Sequence, residues 1–170
     1  RISTMSYLIC GKLIFQESLP PDDQIQLSYK VVELALQEQL SLHLECNIVQ
    51  PIVYEILGQK NQIRLNGTDF TFFITDAPIS DTADALISPY EIEPFENPLP
   101  TLRKNLNRVN RFLSAVLQLK EIRQVILYLS EGYDDFYQEE KISKEMVVER
   151  CLQLFNEYGE IPAVKFIIGC

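Results

Sequence analysis

Histidine is nearly absent from this chain. His43 is the single example, so one imidazole cannot serve both a catalytic triad and a metal site. The six glycines, Gly11, Gly58, Gly67, Gly132, Gly159 and Gly169, are scattered singly, so no glycine-rich loop is available to cradle a phosphate. There is no G-x-S-x-G elbow, no H-E-x-x-H pair and no EF-hand spacing. The four cysteines, Cys10, Cys46, Cys151 and Cys170, form no C-x-x-C pair. Cys10 in an apolar strand and Cys151 on a helix face read as small buried hydrophobes. All four are expected to be reduced and the compartment cytoplasmic. No apolar run approaches the roughly 18–20 residues of a membrane span, and no stretch reads as a signal peptide. Arg1 to Thr4, ahead of Met5, read as a vector remnant, an internal start or a disordered end.

Positive charge is also scarce. Fifteen Lys and Arg face 24 Asp and Glu, a net charge of −9. General nucleic-acid binders and anionic-membrane binders are usually basic, so direct nucleic-acid and membrane contact are both disfavoured. The acidity fits plain solubility, or steering towards a basic partner.

What is present describes one folded domain. With 170 residues, 46% of them hydrophobic, the chain can bury a core without a disulfide or metal staple. Ser6 to Phe15 is rich in β-formers and reads as a strand. Pro20-Pro21-Asp22-Asp23 starts a helix expected to run to about residue 43, with Ile25, Tyr29, Val32, Leu36 and Leu40 at helical spacing. His43 then falls at the helix end. It is a base or ligand if a partner reaches it, and otherwise a residue near the negative end of the helix dipole. Residues 48 to 76 read as an antiparallel meander, with Asn66-Gly67 as a type I′ hairpin turn and Phe70, Phe72 and Ile74 on one face.

From Thr68 to Leu102 there is no Lys or Arg but seven acids, Asp69, Asp76, Asp81, Asp84, Glu91, Glu93 and Glu96, along with five prolines. A connection this long needs a job. It is either a partner contact, with Tyr90 and Phe95 as anchors, or a solvated crossover carrying a short helix near Thr82 to Ile87. Leu99 to about Glu121 reads as a helix with Leu102, Leu106, Val109, Leu113, Val116 and Leu117 towards the core. Arg103, Lys104, Arg108 and Arg111 lie on its solvent side, where they either bind phosphate or balance the acids just before them.

The last segment reads strand, acidic aromatic loop, helix, strand. Gln124 to Leu129 is the first strand, and Ser143 opens a helix that Gly159 closes at a left-handed position. Met146 or Val147, then Val148, Cys151, Leu152 and Phe155, form the buried side of that helix. Val164 to Ile168 is the closing strand. The unit reads as a crossover between parallel neighbours, or as a helix laid over a mixed sheet. Between strand and helix, Glu131, Asp134, Asp135, Glu139 and Glu140 interleave with Tyr133, Phe136 and Tyr137, with no basic residue. Aromatics are desolvated interface anchors and carboxylates pair with arginines. Alternatively, Phe136 and Tyr133 tuck into the core and the acids face solvent. Paired carboxylates, or a Ca²⁺ or Mg²⁺ site built from these oxygens, are weaker readings because no loop template supports them. No cofactor, metal or catalytic residue is expected.

The strand, the Ser-Glu-Gly-Tyr-Asp-Asp-Phe stretch at 130 to 136, the helix and the closing strand resemble the C-terminal part of immunity proteins from bacterial polymorphic-toxin and contact-dependent growth-inhibition systems. The resemblance covers roughly the last 47 residues. It implies a non-enzymatic cytoplasmic protein that binds one cognate toxin, often a basic nuclease domain, and blocks its active site. The residues it carries over are Glu131, Tyr133, Asp134, Asp135 and Phe136. The candidate partner-binding set adds Glu139, Glu140, Asp81, Asp84, Glu91 and Glu93.

The expected fold is α+β, with a mixed or mainly antiparallel sheet of about five to six strands and three principal helices packed on it. The protein is expected to be a monomer or weak dimer. Two other functions stay open. One is a structural or adaptor module using the acidic surface or a sheet edge such as Val164 to Ile168. The other is a carboxylate-dependent or divalent-ion enzyme, which requires a deep pocket of converging acids.

Overall fold

The computed structural model describes residues 7–45, 52–56, 59–63, 67–76, 83–88, 97–131 and 138–169. The strands are β1 (Tyr7–Leu19), β2 (Leu40–Glu45), β3 (Ile52–Ile56), β4 (Gln59–Ile63), β5 (Gly67–Asp76), β6 (Ile122–Glu131), β7 (Gln138–Ile142) and β8 (Val164–Gly169). Six of them form a mixed sheet in the order β2-β5-β1-β6-β8-β7, and β3 and β4 form a separate antiparallel ribbon. Within the large sheet four of the five pairings are antiparallel and β7–β8 is parallel. The helices are α1 (Pro21–Gln37), the single turn α2 (Asp84–Ile87), α3 (Leu99–Leu117) and α4 (Val147–Tyr158), the last preceded by a 3₁₀ turn at Lys144–Met146. The α+β class, the strand number and the three substantial helices agree with the sequence reading.

The long helices form one layer, with α3 touching both α1 and α4 and lying on β6. Alternation along the strands shows which side of the sheet they cover. Tyr7, Ile9, Leu13 and Phe15 are buried, whereas Leu8, Cys10, Lys12 and Ile14 between them are half-exposed. Phe70, Phe72 and Ile74 share the buried face as expected, and Phe70 meets Phe15 edge-on with ring centroids 4.9 Å apart. The predicted α3 stripe, Leu102 to Leu117, is buried throughout.

Several expectations are corrected. Helix α1 ends at Gln37, not near residue 43: the N–H groups of Glu38 and Gln39 bond back to Ala35 and Leu36. Gln39 takes a left-handed φ of 58°, which turns the chain into β2. Leu40, Leu42 and Leu44 alternate along a strand and are fully buried, so period two wins over the helical spacing. His43 therefore sits on β2 opposite Phe73, not at a helix end.

The meander is not continuous either. Among the described residues β4 pairs with β3 and β5 pairs with β1 and β2, and Asn66 of the expected turn lies outside the described residues. Gly67 is small for a packing reason: a Cβ there would lie 2.7 Å from Nε2 of Gln24. Gln24 is 1% exposed, and that amide donates to the Leu19 carbonyl at 2.8 Å.

At the C-terminal end the parallel crossover joins β7 to β8 through α4, while β6 and β8 are antiparallel. β7 occupies residues read from sequence as loop, because its burial pattern is that of a mostly exposed polar strand. Val164 to Ile168 is consequently an inner strand between β6 and β7, not a sheet edge. Gly159, at φ 74°, closes α4 as expected, and its N–H donates to the Phe155 carbonyl at 2.8 Å. Ser143 precedes the 3₁₀ turn in an extended conformation without a side-chain capping bond. Met146 is 51% exposed, so Val147, not Met146, begins the buried side of α4.

Candidate functional site

Described residues flanking the acid-rich stretches meet at one end of the sheet. Tyr7 starts β1 there, opposite Glu131 at the end of β6. Ile74 of β5 lies opposite Ile9, which brings Asp76 to the same end. Leu40 pairs with Asp76, and Gln138 opens β7 opposite Val164, itself opposite Leu129. Ala83 donates its N–H to the Tyr7 carbonyl at 3.0 Å. The chain therefore leaves and rejoins the described fold at this end for residues 77–82 and again for 132–137.

Tyr7 ties this end together. Its N–H donates to Oδ1 of Asp84 at 2.7 Å, and its hydroxyl donates to Oε2 of Glu160 at 2.8 Å. The Tyr7 side chain is buried at 1% exposure, so Glu160 is held by a phenol fixed in the core, while Asp84 is held by the backbone of β1. Asp84 thus has a structural task as well as its place in the candidate set. Glu160 was missed by the sequence reading, because its partner lies 153 positions away and no local spacing marks it.

The basic face of α3 is also resolved here. Arg108 donates to the carbonyls of Glu38 and Gln39 at 3.0 and 2.8 Å, to Asp76 Oδ1 at 3.0 Å and to Asn105 Oδ1 at 3.3 Å. Two of these acceptors are carbonyls just past the end of α1, so the guanidinium caps that helix from outside. Arg111 pairs with Glu38 at 2.9 Å, and Arg103 pairs with Glu149. Arg108 is only 14% exposed, so it does not belong to the solvent side. Among the described residues the acids balanced by this face are Glu38, Asp76 and Glu149, of which Asp76 belongs to the preceding acidic segment.

Two further candidate acids lie on the edge strand β7. Glu139 pairs with Lys165 at 3.0 Å, and that ammonium stands 5.6 Å from the Tyr128 ring centroid. The Glu139 hydrogen bond, partly opposed by desolvation, holds the Lys165 pKa above its ordinary value. Glu140 points the other way and pairs with Arg150 at 2.8 Å, which raises the Arg150 pKa. Glu131 contributes its backbone to the β1–β6 ladder. Tyr133, Asp134, Asp135, Phe136, Asp81, Glu91 and Glu93 lie outside the described residues, as do Tyr137, Tyr90 and Phe95.

Among the described residues, no group of three or more His, Cys, Asp or Glu is placed to hold a metal ion. Cys10 and Cys151 are free thiols, and burial pushes their pKa values up to about 11 and about 12. One cleft of about 330 Å³ lies between α3 and α4, lined by Asn97, Leu99, Pro100, Arg103, Leu152 and Asn156. Another, of about 320 Å³, places Asp23 and Glu121 beside Lys30 and Lys120. Neither contains a residue of the candidate set, and the lysines of the second offset its acids. What the acidic end offers is a convergence of carboxylates around Tyr7, partly balanced by Arg108 and Arg111. Comparison with protein-family models, with curated proteins and with solved structures found no match to this chain.

Proposed function

We propose that this chain is a non-enzymatic immunity protein of the kind found in bacterial polymorphic-toxin and contact-dependent growth-inhibition systems. In this reading it works in the cytoplasm and holds one cognate basic toxin domain, a nuclease by class, through the acidic end of its sheet. The observation that carries the reading is the convergence at Tyr7. Asp84 and Glu160 bond to Tyr7, Asp76 and the backbone of Glu131 lie at the same end, and the stretches carrying Asp81, Asp134 and Asp135 start and finish beside them. A groove built to bind nucleic acid presents arginines and lysines to phosphates. Carboxylates set at comparable spacing compete for the same cations, and the long-range field speeds encounter. The chain as a whole supports that field with a net charge of −9.

The proposed contact is centred on Glu131, Tyr133, Asp134, Asp135 and Phe136. Glu139 and Glu140 already have cationic partners within the chain, so they are assigned the smaller share. No described helix is long and apolar enough to cross a membrane, which is compatible with a toxin met in aqueous solution.

The test is a pull-down of the tagged chain from its source-cell lysate at low and high salt, followed by Asp134→Lys with Asp135→Lys in binding assays. The expected result is one basic partner, retained at low salt and lost as salt screens the contact. The double reversal should then abolish capture while urea unfolding stays unchanged. Glu33→Lys on the exposed side of α1 serves as a charge control. Unchanged binding by the double reversal removes Asp134 and Asp135 from the interface. Recovery of several subunits of one complex instead points to an adaptor.

A further inference from the structure

We propose that the face of the sheet left bare by the described helices is the interface of a symmetric dimer of this chain, closed by Glu45 of one copy against Lys141 of the other. The inference does not rest on the toxin reading, which centres on the end of the sheet and shares only Glu139 with this face.

Strand pairing sets two complete rows of side chains across this face. The first runs His43, Phe73, Cys10, Tyr128, Lys165, Glu139. The second, two residues along each strand, runs Glu45, Thr71, Lys12, Ile126, Ile167, Lys141. Every member is half-exposed or exposed, and Leu8, Ile14, Phe73, Ile126, Tyr128 and Ile167 make the face largely apolar, with Lys12 and Lys165 set among them. A patch of this kind on a folded domain marks a contact surface.

Charge selects the occupant. A twofold axis parallel to the strands and centred between β1 and β6 lays β2 over β7 of the partner subunit, β5 over its β8 and β1 over its β6. The rows stay aligned. Glu45 then faces Lys141 of the partner subunit, and His43 faces Glu139 of the partner subunit. Phe73 meets Lys165 of the partner subunit, and Cys10 meets Tyr128 of the partner subunit. Both edge positions are complementary under this twofold operation, as an isologous interface requires. Glutamate and lysine together bridge the roughly 10 Å between stacked sheets.

The size also fits. Six strands at about 4.8 Å spacing and about seven residues at about 3.4 Å give roughly 700 Å² per copy, and the shorter edge strands bring this to about 600 Å². The total, about 1,200 Å², is at the lower end of specific interfaces, so a weak, concentration-dependent dimer is expected.

The test is sedimentation equilibrium over a concentration series for the full chain, for Glu45→Lys, for Lys141→Glu, and for an equimolar mixture of the two variants. Both positions are exposed, so circular dichroism should be unchanged. Wild type should pass from 19.7 kDa to twice that mass as concentration rises. Each reversal alone places like charges opposite each other twice per dimer and should raise the dissociation constant about tenfold. In the mixture, the new positive charge at position 45 of one variant meets the new negative charge at position 141 of the other. The two unaltered positions, Lys141 of the first and Glu45 of the second, also meet with opposite charge. Dimers should therefore return to near wild-type strength. A wild-type chain that stays monomeric at every concentration overturns the proposal and leaves the face to a different partner. A dimer insensitive to the reversals, or variants that do not rescue each other, overturns it as well.

Discussion

Replacing Arg108 by methionine removes the guanidinium while keeping the aliphatic stem that packs beneath it. Four acceptors lose a donor: the Glu38 and Gln39 carbonyls, Asp76 Oδ1 and Asn105 Oδ1. The two carbonyls lie where α1 turns into β2, beside a left-handed Gln39, so the turn loses the group that holds it against α3. Each lost bond from the charged donor to a carbonyl is worth about 1 kcal/mol net, the exposed Gln39 bond less than the half-buried Glu38 bond. The Asp76 pair adds less than about 1 kcal/mol, because its side chain is 33% exposed and water can replace the cation. The expected loss is about 2–3 kcal/mol, or roughly 5–10 °C in Tm for a chain of this size. Urea unfolding monitored by circular dichroism measures it. A double-mutant cycle with Asp76→Asn should return a coupling of about 0.5–1 kcal/mol. An Arg108→Met protein within about 0.5 kcal/mol of wild type would refute the capping argument and return Arg108 to the solvent side.

Gly11→Ala should be among the most damaging small substitutions. An added Cβ would stand 1.8 Å from the Ile126 carbonyl oxygen, so β1 and β6 must part at the centre of the sheet. A loss of about 3 kcal/mol or more is expected in the same urea assay, and a loss below about 1 kcal/mol would contradict so close an approach of the two strands. Stability should also fall above pH 9. The Cys151 thiol has its pKa raised by burial from 9.0 to about 12, so the folded state keeps a proton that the unfolded chain releases. The stabilisation is therefore complete below pH 9 and declines between pH 9 and about 12, by about 1.4 kcal/mol per pH unit. Cys10 adds to the same decline between pH 9 and about 11. Subtracting the pH profile of Cys151→Ala from that of wild type isolates the Cys151 share. Parallel profiles would mean that this thiol is not shielded.

The sequence was legible where a pattern is local and its burial one-sided. The α3 stripe, the Gly159 stop and the Phe70-Phe72-Ile74 face all depend on periods or backbone angles that a few neighbouring residues specify. Reading failed where two periods overlap or where a partner is distant. Leu36 and Leu40 continue the helical spacing of α1, yet Leu40, Leu42 and Leu44 also fit a strand, and only the pairing with β5 decides between them. β7 has almost no apolar residue, so nothing in its pattern distinguishes an exposed edge strand from a loop. Gly67 has a need for smallness that no local pattern shows, because Gln24 packs against it from α1.

By itself the sequence determined the composition of the layers: which residues are apolar at which spacing, hence an α+β domain with three long helices and an acidic surplus. Those properties follow from local periodicity and summed charge, and they need no knowledge of what lies across the sheet. Only the tertiary structure decided where the acids meet, which cations they keep and which face of the sheet the described helices leave bare. Tyr7 joins Asp84 and Glu160 across 77 and 153 positions, and Arg108 reaches 70 positions back to Glu38. Such contacts are set by strand order and helix packing, which many sequences with the same local patterns would arrange differently.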